Sequence, residues 1–200
     1  MIPLMTDVAA GPPSEPPAPE SIADRYRRLA SHLADTVGSV NLHAWNDPSP
    51  CEGWSALDVL RHVIDTNGLV LALVGDELWP GPPVGGDPLG AWISASDQVQ
   101  ARLDNPSAAA APVEGEEGLT FEGAVDQFLG LDLVVHRWDI AAATGGDTVI
   151  DPADLAGAWV IARALGDDLR APGVCGPALD PPIEANDQER LLAFLGRRSW

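Results

Sequence analysis

Asp132 and His136 lie four residues apart in TFEGAVDQFLGLDLVVHRWDIAAA, residues 120–143, and that spacing poses the chemical question. At helical periodicity Phe121, Val125, Phe128, Leu129, Asp132, His136, Asp139, Ile140 and Ala143 fall on one stripe. Most of the stripe is apolar, so it is expected to face a core. A carboxylate and an imidazole at i and i+4 are neighbours on such a face. An unpartnered buried carboxylate costs several kcal/mol or is driven to neutralise. Two arrangements relieve that cost: the pair hydrogen-bond each other, or both ligate a metal ion. A second imidazole has a similar setting. His62 shares a row with Asp58, Asp65 and Leu69, beside an apolar row of Leu57, Leu60, Ile64 and Leu71. His32 lies off the apolar stripe of its own helix and His43 lies in a loop, so both read as ordinary surface or loop histidines.

The elements that must position these groups are helices. Ser21 is a candidate cap for a first helix with Ile22, Tyr26, Leu29, Leu33, Val37 and Val40 inward. A loop broken by Pro48, Pro50 and Gly53 follows. Ser55 and Asp58 form a capping box that opens a second helix, expected to run to about Leu78. Asp87-Pro88 opens a third over 88–104, with Leu89, Trp92, Ile93, Val99 and Leu103 inward. Residues 105–119 read as a surface loop, and Thr120 caps the central helix. After Gly145 and Gly146 a short extended piece, DTVI, is allowed; Asp151-Pro152 then opens a fifth helix to about Leu169. That helix buries Leu155, Trp159, Ala162 and Leu165, and DQERLLAFLG forms a short sixth. The pattern predicts an all-α bundle over residues 20–200. Residues 1–19, with GPPSEPPAP, read as a disordered proline-rich tail.

Composition narrows the partners. The net charge is −19, which repels nucleic acid phosphates. No run reaches the roughly 18 apolar residues of a membrane span, and no signal peptide pattern opens the chain. Two cysteines are too few for a disulfide scaffold and fit a reducing cytoplasm. The expected partners are a small-molecule substrate or thiol, with a homodimer as the assembly to test and neither nucleic acid nor membrane.

Three blocks, SPCEGWSALDVLRHVI, LDLVVHRWDIAAATGG and QERLLAFLGR, span residues 50–197 in that order. Together they resemble the DinB-like superfamily, in its actinobacterial branch related to the N-terminal domain of mycothiol-dependent maleylpyruvate isomerase. The resemblance implies a four-helix bundle with a long crossover and a divalent metal near one end. It implies His62, Asp132 and His136 as the metal ligands. The isomerase has glutamate where this chain has Asp132, one methylene shorter. The sequence ends at Trp200 without a counterpart of the isomerase's second domain, so maleylpyruvate itself is not implied.

Two imidazoles and one carboxylate leave a coordination position open, the pattern of a catalytic zinc site. The resemblance favours zinc; nickel or iron would also accept the set. Zinc would acidify a bound thiol or water. The function expected is thus a mycothiol-type thiol-dependent transferase or isomerase acting on a small electrophile, with mycothiol as co-substrate. The alternative is a non-catalytic, stress-associated module that binds a metal or ligand. No separate catalytic residue is assigned. Asp65 and Asp139 each follow a histidine by three and could accept its second N–H, or be a cap or solvated carboxylate. Arg61 and Arg137 flank the histidines and are candidates to attract an anionic substrate. Cys51, just before a helix start, reads first as a small buried hydrophobe. Trp54, Trp92 and Trp138 read as core, Trp138 also as a candidate pocket wall.

Overall fold

The computed structural model describes residues 20–171 and 173–200; the proline-rich tail expected over 1–19 lies outside them. Each main helix except Gly130–Thr144, which continues from the turn before it, starts where a side chain takes up free N–H groups. α1 (Ile22–Ser39) begins at Ser21, whose hydroxyl accepts the Asp24 N–H at 3.1 Å. α2 (Ala56–Ala72) opens with the reciprocal Ser55–Asp58 capping box. α3 (Pro88–Leu103) is capped by Asp87, with Pro88 where no N–H is needed. Single turns follow at Pro106–Ala109 (α4) and Phe121–Ala124 (α5), the latter capped by Thr120. α5 runs through a π-helical turn, Val125–Leu129, into α6 (Gly130–Thr144). α7 (Pro152–Leu165) and α8 (Asp187–Phe194) complete the order. Gly145 ends α6 at φ +74°, a conformation that costs a residue bearing a Cβ.

α1 and α2 each pack against both α3 and α6, so the four close a ring with α1 opposite α2 and α3 opposite α6. The chain from α3 to α6 therefore crosses the bundle, the expected long crossover. Leu33, Leu60, Leu133 and Trp92 meet fully buried inside this ring. Each aliphatic burial contributes about 1.5–3 kcal/mol. Two long-range hydrogen bonds tie polar atoms of the core: Trp92 Nε1 donates to the Ala30 carbonyl at 3.0 Å, and Tyr26 donates to Asn67 at 2.5 Å. α7 packs on α6 and α8 on α7. Among the described residues extended pairing is confined to the isolated bridges Pro48–Ser55 and Pro112–Thr120. The fold is all-α.

Several boundaries differ from the sequence pattern. α2 stops at Ala72 rather than near Leu78, because Leu73 to Gly75 turn the chain and Gly75 takes φ +77°. The fifth predicted helix ends at Leu165 and continues as a 3₁₀ turn, Gly166–Arg170. Residues 147–150 form no strand; Gln188 instead bonds Thr148 O and Ile150 N, both at 2.9 Å. Ile93, expected inward, is exposed. The predicted unbroken helix over 120–143 contains the π turn, which shifts the register by its wider winding. Phe128 consequently faces outward, 42% exposed, whereas Leu129 beside it is buried.

Candidate metal centre

Two helices from opposite parts of the sequence build the centre. α2, fixed at its start by the capping box, presents His62 at the edge of its apolar face. α6 presents Asp132 in its first turn and His136 one turn later. The π turn Val125–Leu129 lies immediately before this helix. His62 Nε2 lies 3.4 Å and His136 Nε2 3.1 Å from the same oxygen, Asp132 Oδ1. The two imidazole rings stand edge to face, 4.8 Å apart. Trp54 packs over the outer side of His62 at 5.1 Å. Ligand atoms of His62, Asp132 and His136 all lie within 4.8 Å of one another.

The second carboxylate oxygen, Asp132 Oδ2, is buried and has no hydrogen-bond partner among the described residues. A buried oxygen in that state calls for a partner. Burial alone would push the Asp132 carboxyl up; His136 and then His62 outweigh it and hold it below the usual carboxylate range. Burial alone would lower His136; Asp132, Asp139 and Cys51 outweigh that and raise it well above an ordinary imidazole. Two nitrogens thus converge on one carboxylate, an arrangement that a divalent cation would also satisfy. The residues present fit such an ion.

His136 is held from behind. Its Nδ1 lies 2.9 Å from Asp139 Oδ2. Donating from Nδ1 leaves Nε2 of the neutral ring free to act as a ligand. Asp139 is fully buried and is gripped in turn by Arg197, with Nε 3.3 Å from Oδ1 and Nη2 2.9 Å from Oδ2. Burial by itself would raise Asp139; His136 and Arg197 reverse this and lower it. Cys51 donates to Asp139 Oδ2 at 3.3 Å. Cys51, His136 and Asp139 form a second set with metal-ligand spacing. The buried guanidinium of Arg197 already lies against the Cys51 sulfur at 3.4 Å and against both Asp139 oxygens. A second cation there would face that fixed charge, so the Nε2 side of His136 is the favourable one.

A cavity of about 350 Å³ opens over His62, Asp132 and His136. Phe128, Leu131 and Val135 line it from the π turn and α6. Leu165, Leu169 and Val174 line it from α7 and the chain beyond.

The structure sorts the other candidates. Asp139 reaches its histidine. Asp65 is exposed and shares no hydrogen bond with His62. Arg61 is exposed and pairs with Asp58 at 2.8 Å. Arg137 binds the carbonyls of Asp147 and Val149, tying α6 to the following loop. Neither arginine lines the cavity over the triad, because i±1 neighbours point off the ligand face. Trp138 is buried in the core and is no wall of that cavity. Cys51 is half-buried and hydrogen-bonded rather than a mere apolar filler. Arg197 and Cys175, the latter 3.6 Å from Arg197 Nη1, had no role in the sequence reading. The available signal was an arginine closing the apolar run LLAFLGR.

Two uncharacterized proteins from two strains of Mycobacterium tuberculosis are each 30% identical over 182 residues, covering 86% of this chain and 95% of the relative. No solved structure matches. The sequence model of the family described as mycothiol maleylpyruvate isomerase N-terminal domain matches residues 26–141, which include His62, Asp132, His136 and Asp139. The chain, an all-α bundle of the DinB-like kind, belongs to the mycothiol maleylpyruvate isomerase N-terminal domain family.

Proposed function

We propose that this protein holds a divalent metal ion, zinc in the first instance, through His62, Asp132 and His136. We propose further that it brings a small thiol of the mycothiol type against an electrophile there, for transfer or isomerisation. One observation carries the reading: two imidazole nitrogens converge on one buried carboxylate at the floor of a cavity wide enough for a small molecule. A metal bound by these groups would supply a Lewis acid that acidifies a thiol or water.

The chain's own groups do the remaining work. Asp132 offsets one positive charge. Asp139 fixes the tautomer and ring orientation of His136, and Arg197 fixes Asp139. The apolar walls from Leu131, Val135, Leu165 and Leu169 lower the polarity beside the centre, which strengthens charge interactions there. Both inward histidines are engaged with Asp132, so neither is a free general base. No helix among the described residues is long and apolar enough to cross a membrane. Both cysteines are free thiols, which supports a reducing, cytoplasmic setting.

The test is metal analysis of the purified protein followed by calorimetric titration with mycothiol. Near-stoichiometric metal is expected, lost in His136→Ala, and thiol uptake only by the loaded form. Metal content unaffected by His136→Ala would overturn the ligand assignment. Metal without thiol uptake would leave a metal-sequestering module.

A further inference from the structure

The walls of the cavity carry information about what enters it. Phe128, Leu131, Val135, Leu165, Leu169 and Val174 make the lining mainly apolar. The chain has no lysine. Among the described residues that line the cavity Arg197 is the single arginine, and its donors are spent. A guanidinium has five N–H groups. Here Nε and Nη2 bond Asp139, Nη1 bonds the Leu195 carbonyl at 2.8 Å, and the remaining N–H groups point at the sulfurs of Cys175 and Cys51. Asp168 borders the cavity with a carboxylate of its own. A ligand carboxylate placed against these walls would find no unpaired cation, only the neutral amide of Gln127, and a like charge at Asp168. Burying an anion without a cationic partner is unfavourable, whereas an alkyl or aryl group gains from the same walls.

We infer that the second reactant of this site is an uncharged, largely apolar electrophile, such as an aryl- or alkyl-substituted enone, and not a carboxylate-bearing one. The inference rests on the thiol reading above, in which the sulfur takes the open side of the centre and the electrophile takes the walls. Selectivity then lies in the wall residues of α6, α7 and the 3₁₀ turn, and not in the metal ligands.

The probes are benzylideneacetone and its ring-carboxylated analogue, titrated into the full chain with metal removed and with zinc bound. The metal-free form reads the walls alone. The neutral probe should bind at least about tenfold more tightly than the carboxylate in the metal-free protein. Val174 is 55% exposed, so Val174→Arg adds a cation at the wall without disturbing the core; it should erase or reverse that preference. Phe128→Ala, also at an exposed position, should weaken the neutral probe alone. Equal or tighter binding of the carboxylate, no binding of either probe, or a preference indifferent to Val174→Arg would overturn the inference. Failure of mycothiol uptake with the neutral preference intact would sink the thiol reading instead, so the two failures are distinguishable.

Discussion

At the scale of single residues, Asp65 and Asp139 teach most. Each follows its histidine by three positions, yet Asp65 is exposed and Asp139 is fully buried against His136 and Arg197. Spacing is the same in both; what differs is the helix's surroundings. α2 holds His62 at the edge of its apolar face, 35% exposed in its side chain, so three residues further lies in water. α6 is covered by α1, α2 and α7, so three residues further is still core. Asp139→Asn keeps the shape but can no longer offer two carboxylate oxygens to His136 and Arg197. Zinc affinity should fall roughly 10–100-fold, measured by competition with a chromophoric chelator. Asp65→Asn should leave it unchanged. Equal effects of the two changes would refute the positioning role given to Asp139.

At the scale of elements, the helix starts were legible because their signals are local. Ser21, Ser55 with Asp58, Asp87-Pro88, Thr120 and Asp151-Pro152 each satisfy free N–H groups within a few residues. The π turn at Val125–Leu129 was not legible, since no residue type in VDQFL demands it. The back support of the centre was hidden for another reason. Cys51 and Arg197 come from irregular segments 146 residues apart, and no periodicity links them. The three candidate ligands stood out because each lies in a regular helix where polarity on an apolar face is conspicuous. Helix ends offer a further test. Gly145→Ala places a Cβ at φ +74° and should cost about 1–2 kcal/mol. A lower denaturant midpoint with an unchanged slope is the expected reading.

At the scale of the whole molecule, an ion held at the proposed centre would join α2 to α6 and stabilise the fold by mass action. Free zinc at about a hundred times its dissociation constant is worth about 2.7 kcal/mol. For a chain of this size that is roughly 5–10 °C in melting temperature. Chelation should remove this increment from the natural sequence and change nothing in His136→Ala. An equal response in both would place the stabilising ion elsewhere. The support behind the centre also has a consequence in time. His62 and Asp132 are 70 residues apart in the chain, and Asp139 and Arg197 are 58 apart. Contacts that distant require most of the loops to have closed already. Only a nearly finished fold can therefore grip the ion, and its influence should appear as slower unfolding while the refolding rate stays the same. Stopped-flow measurements with and without zinc would show one limb of the rate profile moving and the other still, marking the centre as among the last parts of the molecule to assemble and the ion as what delays its release.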